Sequence, residues 1–242
     1  DDGRGIAGED LEAAFLRYGT SKLSTIEDLY RLDTMGFRGE ALASIAAVSR
    51  TSLLSKQKES PLGWKYVVEA GTPVGKTSEA LKDGTTIKVE ELFFNAPVRQ
   101  KFLKSQLKET GAIVEVVEKL MLSRPDVAME LFVDGRLAQK TRGNGDLREL
   151  ASQVFSFGAG RGMKAIEGER DGLKIHGLVG DIHQYRRSRE YLHFFINGRY
   201  IRSKSLARFV EEAYRNRLPI GKHPIGIVYL ELPPYLVEVN IH

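Results

Sequence analysis

Two glycines three residues apart, Gly36 and Gly39, run straight into the helix-forming stretch Glu40-Ala41-Leu42-Ala43-Ser44-Ile45. That junction narrows the conformations open to this chain more than any other. Glycine permits positive φ and a close approach of the backbone to a neighbour. A helix starting directly after it aims its unpaired N–H groups and positive dipole end at an anion, which is how a backbone cradles phosphates. The chain opens with Asp1-Asp2-Gly3-Arg4-Gly5-Ile6, an Asp-x-Gly-x-Gly turn. Its carboxylate can accept a directed hydrogen bond from the exocyclic amine of an adenine, and Gly3 and Gly5 clear the approach. Read in isolation, the same residues make an Asp/Gly surface turn. A third element, Gly84-Thr85-Thr86-Ile87-Lys88-Val89, sets a hydroxyl at the mouth of an alternating strand, within reach of the same base.

With 242 residues, 42% of them hydrophobic, the chain can bury a substantial core and fill two modest domains. The balance of 36 Lys+Arg against 32 Asp+Glu, a net charge of +4, permits a basic patch without requiring nucleic acid as a partner. No stretch approaches the roughly 18 consecutive apolar residues of a membrane span. The absence of cysteine within the chain rules out disulfides, thiolate metal sites and a Cys nucleophile there. His176, His183, His193, His223 and His242 lack tight ligand spacing, so no zinc site is expected.

Periodicity organises the rest. Leu11, Ala14, Phe15 and Tyr18 predict a short amphipathic helix, Ser24–Leu29 a second, and the polar run to Phe37 a candidate lid. Ala41–Val48 reads as a helix. Thr51–Ser55, Lys65–Glu69 and Thr85–Glu90 read as strands, with a turn at Gly71-Thr72-Pro73. Ile113, Val117, Leu120 and Met121 have helical spacing, closed by Ser123-Arg124-Pro125. Alternation through Val127–Val133 and Leu137–Thr141 about Asp134-Gly135 predicts a hairpin. The polar, glycine-rich Thr141–Gly145 is the best domain boundary, followed by Asp146 as an N-cap for a helix on Leu147, Leu150, Ala151 and Val154. A strand at Leu173–Val179, a hairpin of Tyr191–Ile196 with Arg199–Ile201 about Asn197-Gly198, a helix on Leu206, Val210, Ala213 and Tyr214, and a strand at Ile225–Leu232 complete an α+β pattern. Trp64, Phe93-Phe94 and Phe194-Phe195 are expected in cores.

Two further stretches, Gly19-Thr20-Ser21-Lys22 and Leu92-Phe93-Phe94-Asn95-Ala96-Pro97-Val98-Arg99-Gln100-Lys101-Phe102-Leu103-Lys104, join the three motifs above in a fixed order. Together they resemble the ATPase superfamily of type II topoisomerase ATPase subunits, heat-shock chaperones and histidine kinases, and within it the MutL family of mismatch-repair ATPases. Val237-Glu238-Val239-Asn240-Ile241-His242 is similar to that family's closing strand. Topoisomerase subunits and chaperones do not carry the Phe-Asn-Ala-Pro-Val-Arg segment.

The resemblance implies a Bergerat-type α/β sandwich over residues 1–145 and a ribosomal-protein-S5-like α/β domain over 146–242. It implies ATP and Mg²⁺ as cofactors. Asp1 would hold adenine with Gly3, Gly5 and Thr85. Gly36, Phe37, Arg38, Gly39, Glu40, Ala41 and Leu42 would line the phosphates, with Thr20, Ser21 and Lys22 closing over them; outside that context Lys22 reads as a solvated surface lysine. The family's catalytic base Glu and Mg²⁺-ligand Asn precede the Asp-x-Gly-x-Gly motif, and its γ-phosphate lysine follows the closing strand. The chain therefore reads as an interior fragment with negligible turnover of its own, and Glu40 as structural or lid-positioning. Arg186, Arg187, Arg199, Arg202, Lys204 and Arg208 form a stripe suited to sequence-independent contact with DNA phosphates, or simply to solubility. Implied partners are a homodimer or family heterodimer mate, a MutS-type mismatch-recognition protein, and a downstream nuclease and helicase, with no membrane. The implied location is the nucleoid-associated cytoplasm of a bacterium or a eukaryotic nucleus. A nucleotide-insensitive DNA-binding or dimerisation scaffold is the alternative from a different class.

Overall fold

The computed structural model describes residues 1–17, 19, 39–155, 158–233 and 236–237. They fold as two compact units, Asp1–Lys104 and Ser105–His242.

In the first unit, strands β1 (Arg50–Lys56), β2 (Gly63–Glu69), β3 (Thr72–Glu79) and β4 (Gly84–Glu90) form an antiparallel sheet in the order β3-β2-β1-β4. Alternation puts Thr51, Leu53 and Ser55 of β1 on one face, opposite Val68 and Tyr66 of β2. That face is covered by α1 (Ala41–Ala46) and by the opening residues, so Leu11, Ala46, Leu53, Tyr66 and Val68 form a buried cluster joined by Ile6, Ala14 and Phe15. The helix expected from Leu11 onward is instead two 3₁₀ turns, Gly8–Asp10 and Ala13–Phe15. Leu11, fully buried between them, anchors the segment through packing rather than through a continuous helical ladder. Tyr18 and the expected helix and lid up to Phe37 lie outside the described residues.

Strand β3 begins where a turn was expected. Its residues are nearly all exposed, so no apolar alternation marked it. It is an edge strand, where Pro73 removes no ladder donor that matters, and a register shift at Val67/Val68 accommodates Pro73 and Gly75. Trp64 is likewise not a core residue: it is 37% exposed, with Lys76 Nζ 5.5 Å from its ring centroid. Phe94, 42% exposed, also departs from expectation.

The segment after β4 contains α2 (Pro97–Gln100). The second unit starts with α3 (Gln106–Ser123), then the hairpin β5 (Ala128–Val133) and β6 (Arg136–Arg142), turned by Asp134 and Gly135 at φ 49° and 74°. Helix α4 (Leu147–Val154) is capped as expected: the Asp146 carboxylate accepts the Arg148 and Glu149 N–H groups at 2.8 and 3.1 Å. Thr141–Gly145, read as the boundary, joins β6 to α4 inside this unit, because Met121 and Leu122 of α3 bury against Leu150, Ala151 and Val154 of α4.

After α5 (Ala159–Gly162), and with the two-residue β9 (Tyr185–Arg186) and β12 (His223–Pro224) pairing separately, a five-stranded sheet is formed by β7 (Lys164–Arg170), β8 (Leu173–Val179), β10 (Leu192–Ile196), β11 (Arg199–Ile201) and β13 (Gly226–Glu231). Its order is β11-β10-β13-β8-β7. Helix α6 (Lys204–Ala213) lies between β11 and β13 in sequence, and β10 and β13 pair in parallel. Phe194 packs with Leu192, Ala207, Val228 and Leu230 on the α6 side, while Phe195 packs with Tyr229, Ile227 and Leu178 on the α3/α4 side. Adjacent phenylalanines thus serve two cores, as strand alternation demands. Strand β7 has no sequence prediction, since Glu167, Glu169 and Lys164 interrupt any apolar pattern and Ile166 alone packs inward.

Candidate functional site

The register of β1 and β4 sets Ser55 directly opposite Thr85, and the opening turn is clipped across them. The Asp1 nitrogen donates to the Thr85 carbonyl at 2.8 Å, and the Thr85 N–H donates to the Asp1 carbonyl at 3.2 Å. Gly84 makes this approach possible: at φ +108°, a Cβ there would stand 2.0 Å from the Asp1 carbonyl oxygen. Asp1 Oδ1 accepts the Gly3 N–H at 2.9 Å, an Asx turn that fixes the carboxylate direction and leaves Oδ2 as an acceptor. Gly5 passes equally close to the Lys56 carbonyl.

Sequence reasoning missed the residue that joins these pieces. Ser55, 1% exposed, accepts the Ile6 N–H at 2.8 Å, donates to the Gly84 carbonyl at 3.0 Å, and lies 2.9 Å from Thr85 Oγ1. When its single proton is on the Gly84 carbonyl, Ser55 accepts from the Thr85 hydroxyl, a contact whose heavy-atom geometry suits either direction. The remaining lone pairs of the Thr85 hydroxyl then act only as acceptors, the polarity an exocyclic amine requires. The available signal was a serine two residues after Leu53, at an inward position of its strand.

Gly39, at φ +60°, abuts the other half of the predicted site. A Cβ there would lie 2.4 Å from the Gly19 carbonyl oxygen, so the glycine before the helix sits against the glycine that precedes Thr20. Helix α1 makes its first intrahelical bond from the Ser44 N–H to the Glu40 carbonyl, 2.9 Å. The Ala41 and Leu42 amides precede that bond, so they have no partner within the helix. Thr20, Ser21, Lys22, Gly36, Phe37 and Arg38 lie outside the described residues. The two described groups share one foundation: Ile6 follows the opening turn, Ala46 ends α1, Leu53 lies two residues before Ser55, and all three meet in one cluster. The Asn95 side chain donates to the Ala47 carbonyl at 3.0 Å and the Phe93 N–H to the Val48 carbonyl at 2.6 Å. The Phe-Asn-Ala-Pro segment is thereby hooked onto the α1–β1 connection, with Glu91 and Phe93 at positive φ.

The six predicted DNA-contacting cations all lie in the second unit, in different states. Arg202 meets Glu115 at 3.5 Å, and the Lys119 hydrogen bond holds that carboxyl below the usual range, with Arg202 adding to the effect. The Arg186 guanidinium lies 5.1 Å from the Tyr191 ring centroid, and Arg199 is paired in β11 with Ile196. Arg187, Lys204 and Arg208 are exposed, and no ion pair engages them among the described residues. A depression of about 530 Å³ at the β5–β6 turn is lined by Val133, Asp134, Arg136, Leu137 and Ala138. None of the predicted site residues lines it, and five side chains on a hairpin tip offer no converging chemistry.

A family model described as DNA mismatch repair protein, C-terminal domain, matches residues 151–242. The DNA mismatch repair protein MutL of Shouchella clausii is 40% identical over all 242 residues. MutL of Lacticaseibacillus casei is 38% identical over the same span. Similarity to MutL proteins thus runs along the whole chain, which covers 37% of the length of each of those two relatives. A solved Aquifex aeolicus MutL ATPase domain complexed with ADP aligns with 97% of this chain and 78% of its own, at 29% identity and a TM-score of 0.70. The chain has the fold of a MutL ATPase domain, of the α+β class.

Proposed function

We propose that this chain binds ATP between the opening turn and the Gly39 hinge, and that ATP binding and hydrolysis act as a conformational switch in a MutL-like mismatch-repair protein. Lid ordering and dimerisation would relay mismatch recognition by a MutS-type protein to a downstream nuclease and helicase. The observation that carries this reading is the Asp1–Ser55–Thr85 arrangement, in which a directed carboxylate and a hydroxyl with acceptor lone pairs lie side by side. The ADP complex of the Aquifex aeolicus relative supports it.

The residues present fit a nucleotide. Asp1 and Thr85 would take the adenine amine, and the Ala41 and Leu42 amides would meet phosphate oxygens. Mg²⁺, when bound, would neutralise charge on the phosphates. Among the described residues no cluster of three His, Cys, Asp or Glu side chains could hold that ion, so no metal ligand is assigned here. DNA would be held without sequence preference by Arg187, Lys204 and Arg208, whose charge is not neutralised internally.

Titrating the full-length protein with a fluorescent ATP analogue tests the adenine assignment. Asp1→Asn preserves shape but places an amide where the acceptor stood. Losing a hydrogen bond to a charged group, about 1.5–3 kcal/mol, should weaken binding at least tenfold; unchanged affinity refutes the assignment.

A further inference from the structure

One carboxylate gathers three separate pieces of the second unit. Glu211, on α6 and only 21% exposed, accepts Arg189 Nε at 2.6 Å and Arg189 Nη2 at 2.8 Å, and its Oε1 also meets His223 Nδ1 at 2.7 Å. Arg189 opens the 3₁₀ turn Arg189–Tyr191 that follows β9, and His223 faces Arg186 in the β9–β12 ladder. That ladder contains two residue pairs, too few to hold a segment by themselves. Around it, Arg186 lies over Tyr191 and Lys222 Nζ lies 5.7 Å from the Tyr185 ring centroid. Residues 185–191 therefore form a cation-rich strap, and its bidentate bond to Glu211 fixes both the distance and the direction of Arg189.

We propose that Glu211 is the positioning residue of the DNA-binding surface, holding the strap so that Arg186 and Arg187 meet successive phosphates alongside Arg208 of α6. This rests on the DNA-binding reading given above. Simple charge counting predicts the opposite sign. Removing Glu211 deletes a negative charge and releases Arg189, which by counterion release alone should tighten binding and steepen its salt dependence. Positioning predicts that binding weakens, because a freed strap no longer presents its cations in one array.

Fluorescence anisotropy of the full-length protein with a fluorescein-labelled DNA duplex, between 50 and 200 mM salt, as an approximate working range for counterion effects, separates the two. Glu211→Ala should weaken binding about fivefold or more at the low-salt end, and the slope of log affinity against log salt should become shallower by about 1 to 2. Glu211→Gln, which keeps one acceptor oxygen for Arg189, should fall between Glu211→Ala and the parent. Arg189→Ala combined with Glu211→Ala should be no weaker than Glu211→Ala alone, since that change already breaks the Arg189 contact together with the His223 one. Affinity equal to or tighter than the parent in Glu211→Gln overturns the inference, and that variant decides the matter if Glu211→Ala does not fold. If Arg187→Glu and Arg208→Glu also leave binding unchanged, the DNA-binding reading itself fails; if they weaken it while the Glu211 variants do not, only the positioning role is lost.

Discussion

Acidification should destabilise the second unit through one buried ring. His193 on β10 is 7% exposed, stacks on Phe155 at 5.6 Å and 18°, and finds no hydrogen-bond partner for Nδ1 among the described residues. Burial, reinforced by the nearby Lys119 ammonium, pushes its pKa down from 6.5 to about 4. The native state therefore keeps the ring neutral where the unfolded chain has already taken up a proton. With more protons bound to the unfolded state, stability falls as pH drops below 6.5, and the loss levels off below about pH 4, where the native ring also protonates. Integrated over that window, the loss is about 2 kcal/mol at pH 5 and about 3 kcal/mol at pH 4. The perturbation is His193→Phe, which preserves a ring for the stack on Phe155 and removes both the titration and the orphaned nitrogen. Urea unfolding of both proteins at pH 7, 5 and 4, followed by far-UV circular dichroism, isolates this contribution, because the carboxylate titrations other than that of Glu115, which the His193 charge touches, are common to the pair. The stability difference should move in favour of the variant by those amounts as pH falls. A difference constant across the three pH values would show that His193 titrates normally and refute the account of its burial.

Gly39→Ala in the full-length protein should reduce nucleotide affinity at least tenfold by calorimetric titration, since the new Cβ is aimed at the Gly19 carbonyl from a left-handed backbone; wild-type affinity would remove the hinge from the site. Ser55→Ala should cost about 1–3 kcal/mol in denaturant unfolding because the Gly84 carbonyl and Ile6 N–H lose their partner, and a neutral result would mean that neither bond contributes. Asp146→Ala should lower stability by about 1 kcal/mol through loss of the α4 cap, with Asp146→Asn close to the parent.

Legibility in the sequence followed the range of the interaction. The hairpins at Asp134-Gly135 and Asn197-Gly198 and the cap at Asp146 were readable because positive φ and capping depend on neighbours a few residues away. Strands β3 and β7 were not, because one lies exposed at a sheet edge and the other places a single isoleucine inward. The turn residues Asp1, Gly3 and Gly5 and the hinge Gly39 carried their own conformational signature. Ser55 carried none, as a hydroxyl on a strand acquires meaning only from what lies across the ladder.

The amino-acid order alone determined where the chain turns, where helices can begin, and which stretches resemble the MutL family. It did so because glycine conformations, caps and apolar spacing are local properties of consecutive residues. Only the tertiary structure decided that Ser55 meets the Thr85 hydroxyl, that His193 is held neutral, and that Glu211 binds Arg189 and His223 at once. Each of those depends on groups brought together by closing long loops, where register and burial set the chemistry and no sequence spacing records it.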